Sequence, residues 1–127
     1  MYLPTFLLST LTLLSTVHGC VKMTATVSSG LSNTASLVIV DDGVKVCDGR
    51  INGCAGVISC STSPRWHWAY IDMCKNSFDK GPRVQYQNDH GKWEWNGMSG
   101  SCNVMNCCGG NIPCTCRSCQ YSLSAFC

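Results

Sequence analysis

Charge is what this chain has least of. Only 13% of its 127 residues are charged, and nine basic against seven acidic side chains leave a net of +2. The charges are scattered, so there is no electrostatic stripe to hold phosphates, and no nucleic-acid partner is expected. Glu94 is the single glutamate. HExxH, Gly-rich phosphate loops and serine-hydrolase patterns are all missing, which removes the common metal-hydrolase and nucleotide-binding readings. Asn-x-Ser/Thr sequons are also absent, and Asn52-Gly53-Cys54 is only a rare variant of them. No apolar run reaches the roughly 20 residues that span a bilayer. What remains is a 45% hydrophobic chain, rich enough in apolar side chains to fold and short enough to form one domain.

Residues 1–19 contain no Lys, Arg, Asp or Glu, and Leu3, Phe6, Leu7, Leu8, Leu11, Leu13, Leu14 and Val17 make them apolar. Val17 and Gly19 lie three and one positions before Cys20, which suits a signal peptidase. The expectation is a signal peptide over 1–19 and a single disulfide-stabilised domain over 20–127. The product would be secreted and extracellular, with no membrane contact once the leader is removed.

Cysteine carries the strongest signal. All 12 cysteines fall after residue 19: Cys20, Cys47, Cys54, Cys60 and Cys74 are spread out, while Cys102, Cys107, Cys108, Cys114, Cys116, Cys119 and Cys127 crowd the end. An even count in an exported chain predicts disulfides. Five and seven are both odd, so complete pairing requires at least one bridge between the two groups. Adjacent Cα atoms are about 3.8 Å apart, short of the usual disulfide span, so Cys107 and Cys108 should take different partners and fold the tail back onto two places. The competing pattern is a zinc site: Cys107, Cys108, Cys114, Cys116 and Cys119 have the density of a zinc knuckle, with His67 and His90 as further ligands. Zinc needs reduced thiolates, so that reading applies only to a protein acting inside a host cell. No metal or cofactor is expected outside it.

Val21 to Ser28 alternates apolar and polar and reads as a half-buried strand. Two hairpins follow. Ser36–Val40 and Val44–Cys47 flank Asp41-Asp42-Gly43, and Arg83–Gln87 and Lys92–Asn96 flank Asn88-Asp89-His90-Gly91. Over Ser63–Asn76, Ser63 and Pro64 form an N-cap pattern, and Trp66, Tyr70, Met73 and Cys74 recur at helical spacing, which predicts one short helix. The strand alternative groups Trp66, Trp68 and Tyr70. From Gly97 onward, loops held by bridges are expected. The fold class is therefore small, disulfide-rich α+β, mostly antiparallel β.

Two Trp-x-Trp pairs, Trp66/Trp68 and Trp93/Trp95, are candidates for a flat sugar-binding platform or a protein-binding patch, with burial in the core as the structural alternative. His67, His90, Glu94, Arg65 and Arg83 supply the residue types of a small ribonuclease, and Gly81–Tyr86 resembles a strand of the fungal ribonucleases. In its leader, size and cysteine content the whole chain resembles the small secreted cysteine-rich proteins of fungi, many of them effectors or toxins. That resemblance implies a monomeric virulence factor that binds a host protein or cell-wall carbohydrate without catalysis, with uptake into a host cell as a variant.

Overall fold

In a computed structural model, residues 19–108 and 114–127 are described. The expected leader over 1–19 lies outside them except for Gly19. Among the described residues nine strands form: β1 (Val21–Ser29), β2 (Thr34–Asp41), β3 (Val44–Asn52), β4 (Ala55–Ile58), β5 (His67–Asp72), β6 (Arg83–Asn88), β7 (Gly91–Trp95), β8 (Ser99–Asn106) and β9 (Thr115–Ala125). They make two sheets with the orders β3-β2-β1-β9-β8 and β4-β5-β6-β7, and every pairing is antiparallel.

The sheets pack face to face around one core. Val21, Met23, Ala25 and Val27 of β1 point inward with Ala35, Leu37 and Ile39 of β2 and Cys119 and Tyr121 of β9. They meet Ile58 of β4, Ala69 and Ile71 of β5, and Val84 and Tyr86 of β6. Strand alternation makes this possible, because successive side chains leave opposite faces. A bulge between Ile39/Val40 and the facing strand puts Val46 and Cys47 into the core as consecutive residues. The β2–β3 turn is built by Asp42 and Gly43, both at positive φ (52° and 78°), the backbone that a two-residue hairpin requires. Along one side the sheets are joined: Asp48 N donates to Ser59 O (3.0 Å), Ser61 N to Val46 O (2.8 Å), and Cys47 bonds Cys60.

The α+β assignment is corrected. Among the described residues there is no helix, and the Ser63–Asn76 segment contributes β5. Ala69 and Ile71 are fully buried while Trp68 and Tyr70 point the other way. The period is 2, and the helical spacing of Trp66, Tyr70 and Met73 is coincidental. Hydrogen bonding on both sides, to β4 and β6, outweighs a local cap at Ser63. The loops expected after Gly97 are also strands. Cys119, Tyr121, Leu123 and Ala125 alternate with Gln120, Ser122 and Ser124 in β9, a two-residue pattern disguised by small side chains.

All 12 cysteines pair. Cys20–Cys127 is the one bridge between the early and late groups, and it clamps β1 to β9 beside the Val21↔Ala125 pair. Cys54–Cys74 anchors β4 to the end of β5, and Cys102–Cys119 links directly opposed residues of β8 and β9. Cys107 and Cys108 take different partners, Cys116 and Cys114. Cys116 lies on β9 and Cys114 immediately precedes it, so the tail does not fold back onto two separate places.

Candidate binding face

The outer face of the four-stranded sheet is a grid fixed by strand register. Trp68 of β5 lies opposite Gln87 of β6, which lies opposite Lys92 of β7. In the next row Tyr70 faces Gln85, and Gln85 faces Glu94; in the third, Asp72 faces Arg83. Val57 of β4, opposite Tyr70, extends the apolar side and is 57% exposed.

The Trp68 and Tyr70 rings are parallel to within 5°, with centroids 6.2 Å apart. The Lys92 ammonium lies 5.7 Å from the centre of the Trp68 ring, a cation–π contact. Beside the rings runs a linked polar band. Arg83 donates from Nη1 to Glu94 Oε1 (3.3 Å) and from Nη2 to Asp72 Oδ2 (3.2 Å), and Gln85 Nε2 donates to Glu94 Oε2 (3.2 Å). Asp72 Oδ1 also accepts from the Cys74 amide (2.8 Å). These contacts hold the amide and carboxylate groups in place, with two acids against two bases. The face is aromatic on one side and hydrogen-bonding on the other.

The two tryptophan pairs therefore separate. Trp68 lines this face, and Trp66, 43% exposed, precedes it in the segment leading into β5. Trp93 and Trp95, for which the sequence leaves a surface patch and core burial both open, turn to the inner side. Trp93 packs on Tyr86 (6.0 Å) and Phe126 (5.7 Å), and Trp95 on Phe126 (6.3 Å). The deciding signal is in the intervening residues. Between Trp68 and Tyr70 lies Ala69, followed by Ile71, and these apolar residues claim the core; Lys92 and Glu94 cannot, so Trp93 and Trp95 do. Tyr70 groups with Trp66 and Trp68 in the strand alternative for this segment, whereas Gln85, Gln87 and Lys92 are not among the candidate binding residues singled out from sequence.

The ribonuclease-type residues do not converge. His67 is on the inner side of β5, stacked at 6.4 Å on Tyr86, with Nδ1 3.1 Å from Ser61 Oγ. Glu94 is on the outer face with both oxygens engaged. His90 sits in the exposed β6–β7 turn. Elsewhere, Tyr86 OH donates to Asp41 Oδ2 (2.5 Å), and Asn88 Nδ2 donates to the same oxygen (3.1 Å). Burial first, and then the bond to the Asp41 carboxylate, push the Tyr86 phenol well above its ordinary range. Burial, reinforced by Asp79, also raises Tyr121, whose hydroxyl donates to Phe78 O (2.7 Å).

The outer face of the five-stranded sheet is different in kind. Thr24, Thr26, Gln120, Ser122 and Ser124 are exposed there in neighbouring strands, without an aromatic ring among them. Two open hollows, of about 640 and 460 Å³, lie along β8 and β9. No family model matches this chain, and neither a curated protein nor a solved structure does.

Proposed function

We propose that the protein is a secreted, non-catalytic binding protein that docks carbohydrate on the outer face of its four-stranded sheet. The observation that carries this reading is the parallel, outward pair Trp68 and Tyr70 beside the Gln85, Gln87, Arg83 and Glu94 band. Aromatic faces pack against the apolar C–H surfaces of pyranose rings. Amides, carboxylates and guanidinium groups pair with the hydroxyls at the ring edges, which sets orientation. Held by neighbouring strands and by one another, these groups lose little freedom on binding.

Six disulfides point to assembly in an oxidising compartment, in line with the leader pattern of residues 1–19. Among the described residues no helix is long and apolar enough to cross a membrane. The ligand we favour is a structural polysaccharide of a cell wall or host surface, which would make the protein an effector acting by attachment. Catalysis is not part of the proposal, since the only glutamate is tied up in hydrogen bonds and His67 faces the other way.

The test is retention of the secreted protein on insoluble chitin, β-glucan and cellulose, compared with Trp68→Ala and Tyr70→Ala. Retention lost in both variants, with folding unchanged, supports the face as the site. Wild-type protein that passes through all three polysaccharides unretained would sink the carbohydrate reading. Retention unaffected by either substitution would move the site elsewhere.

A further inference from the structure

We propose that the tip of the β8–β9 hairpin is a latent site for a thiophilic divalent cation of the zinc class, formed by Cys107, Cys108, Cys114 and Cys116 once their two bridges are reduced. Among the described residues, one group of three or more metal-ligating side chains converges, and it is here. The sulfurs of Cys107, Cys108 and Cys114 all lie within 4.8 Å of one another. Cys116 joins them through its bond to Cys107.

The spacing suits a tetrahedral ion. Zinc–thiolate bonds of about 2.3 Å place the sulfurs of a tetrahedral site about 3.8 Å apart. Cys107 Sγ and Cys114 Sγ, which belong to different bridges, are already 3.7 Å apart. Cys108 lies inside the same cluster, and Cys108, released from Cys114, and Cys116, released from Cys107, would both have to swing outward to complete it. The backbone needs no large rearrangement, because Cys107 N donates to Cys114 O (3.4 Å) and Met105 pairs with Cys116 in the ladder below. The four cysteines are half-exposed, whereas Cys47 and Cys119 of two other bridges are buried.

The chemistry balances with a named reductant. Two equivalents of a dithiol or phosphine cleave two S–S bonds, each taking up two electrons and two protons. The cation then displaces four protons from four thiols, giving a site of two negative charges. In a reducing compartment the metal would take over from the bridges in closing this tip.

The experiment uses folded, oxidised protein treated with limiting phosphine in the presence of Co(II), followed by alkylation and peptide mapping with and without prior removal of the metal by a chelator. The expected result is one equivalent of cobalt, the red-region absorption of a tetrahedral thiolate complex, and alkylation of Cys107, Cys108, Cys114 and Cys116 only after the chelator has removed the metal. Tryptophan emission should show the sandwich still folded. The double variant Cys108→Ser/Cys114→Ser keeps the Cys107–Cys116 bridge and the hairpin, and its cobalt uptake should fall to none. Absence of the tetrahedral spectrum, chelator-dependent alkylation at other cysteines instead, or full uptake by the double variant would each overturn the proposal.

Discussion

Replacing Cys20 and Cys127 together by serine should be the most damaging bridge removal in the molecule. A disulfide stabilises largely by restricting the unfolded chain, and the effect grows with the logarithm of the loop closed. Cys20 and Cys127 are 107 residues apart, which corresponds to about 4.8 kcal/mol. The other bridges shorten that path in the unfolded chain, chiefly through Cys54–Cys74 and Cys102–Cys119, to roughly 70 residues, but the logarithm leaves about 4.4 kcal/mol. Cys108 and Cys114 are only 6 apart, and the same relation gives about 2 kcal/mol. The clamp also holds Phe126, which packs on Trp93 and Trp95, so its removal loosens core contacts as well. With a urea slope of about 1 kcal/mol per molar, the Cys20→Ser/Cys127→Ser midpoint should lie about 2 M below that of Cys108→Ser/Cys114→Ser. Urea titration followed by tryptophan emission measures both. Equal midpoints, or a lower midpoint for the tip variant, would refute loop entropy as the source of the stability.

Other consequences are equally direct. Tyr86 ionises with difficulty in the folded protein, so the unfolded chain loses that proton first, and stability should fall as pH rises above about 10; the slope should be shallower in Tyr86→Phe, and urea midpoints against pH would show it. At neutral pH the same variant, which leaves the partly buried Asp41 without one donor, should cost about 1–3 kcal/mol. Gly81→Ala introduces a Cβ 2.6 Å from Met98 O at φ +77°, so its melting temperature should drop clearly, by more than the roughly 1 kcal/mol of an ordinary glycine site. In Arg83→Met, Asp72 (8% exposed side chain) loses its cation; a loss of about 1–3 kcal/mol is expected, with weaker retention on any polysaccharide that binds the face.

Local chemistry made several elements legible in the sequence. The β1 alternation and the Asp42-Gly43 turn each rest on few residues with strong backbone preferences, and both stand in the structure. Ser63–Asn76 misled because aromatic residues there satisfy a helical period as well as a strand period, and only pairing with β4 and β6 decides between them. The strands after Gly97 escaped because serine, glycine and cysteine have weak preferences, and the Cys102–Cys119 bridge and neighbouring β1 supply the missing order. For the binding face, Trp68 was named from sequence, while its polar neighbours were not. Gln85, Gln87 and Lys92 come beside it only through register across β5, β6 and β7.

The Cys20–Cys127 bond has a topological consequence beyond its strength. It turns residues 20–127 into a covalent ring, inside which the remaining five bridges are chords. A machine that threads polypeptide end-first through a narrow pore would have to accept two strands abreast, or first find a way to cut that bond. A protease that nicks one exposed loop opens the ring without releasing a fragment, since the cut pieces stay tethered. Threading of the chain and release of its fragments would thus both depend on the redox state of these bonds, of which the one joining the first strand to the last closes the largest loop.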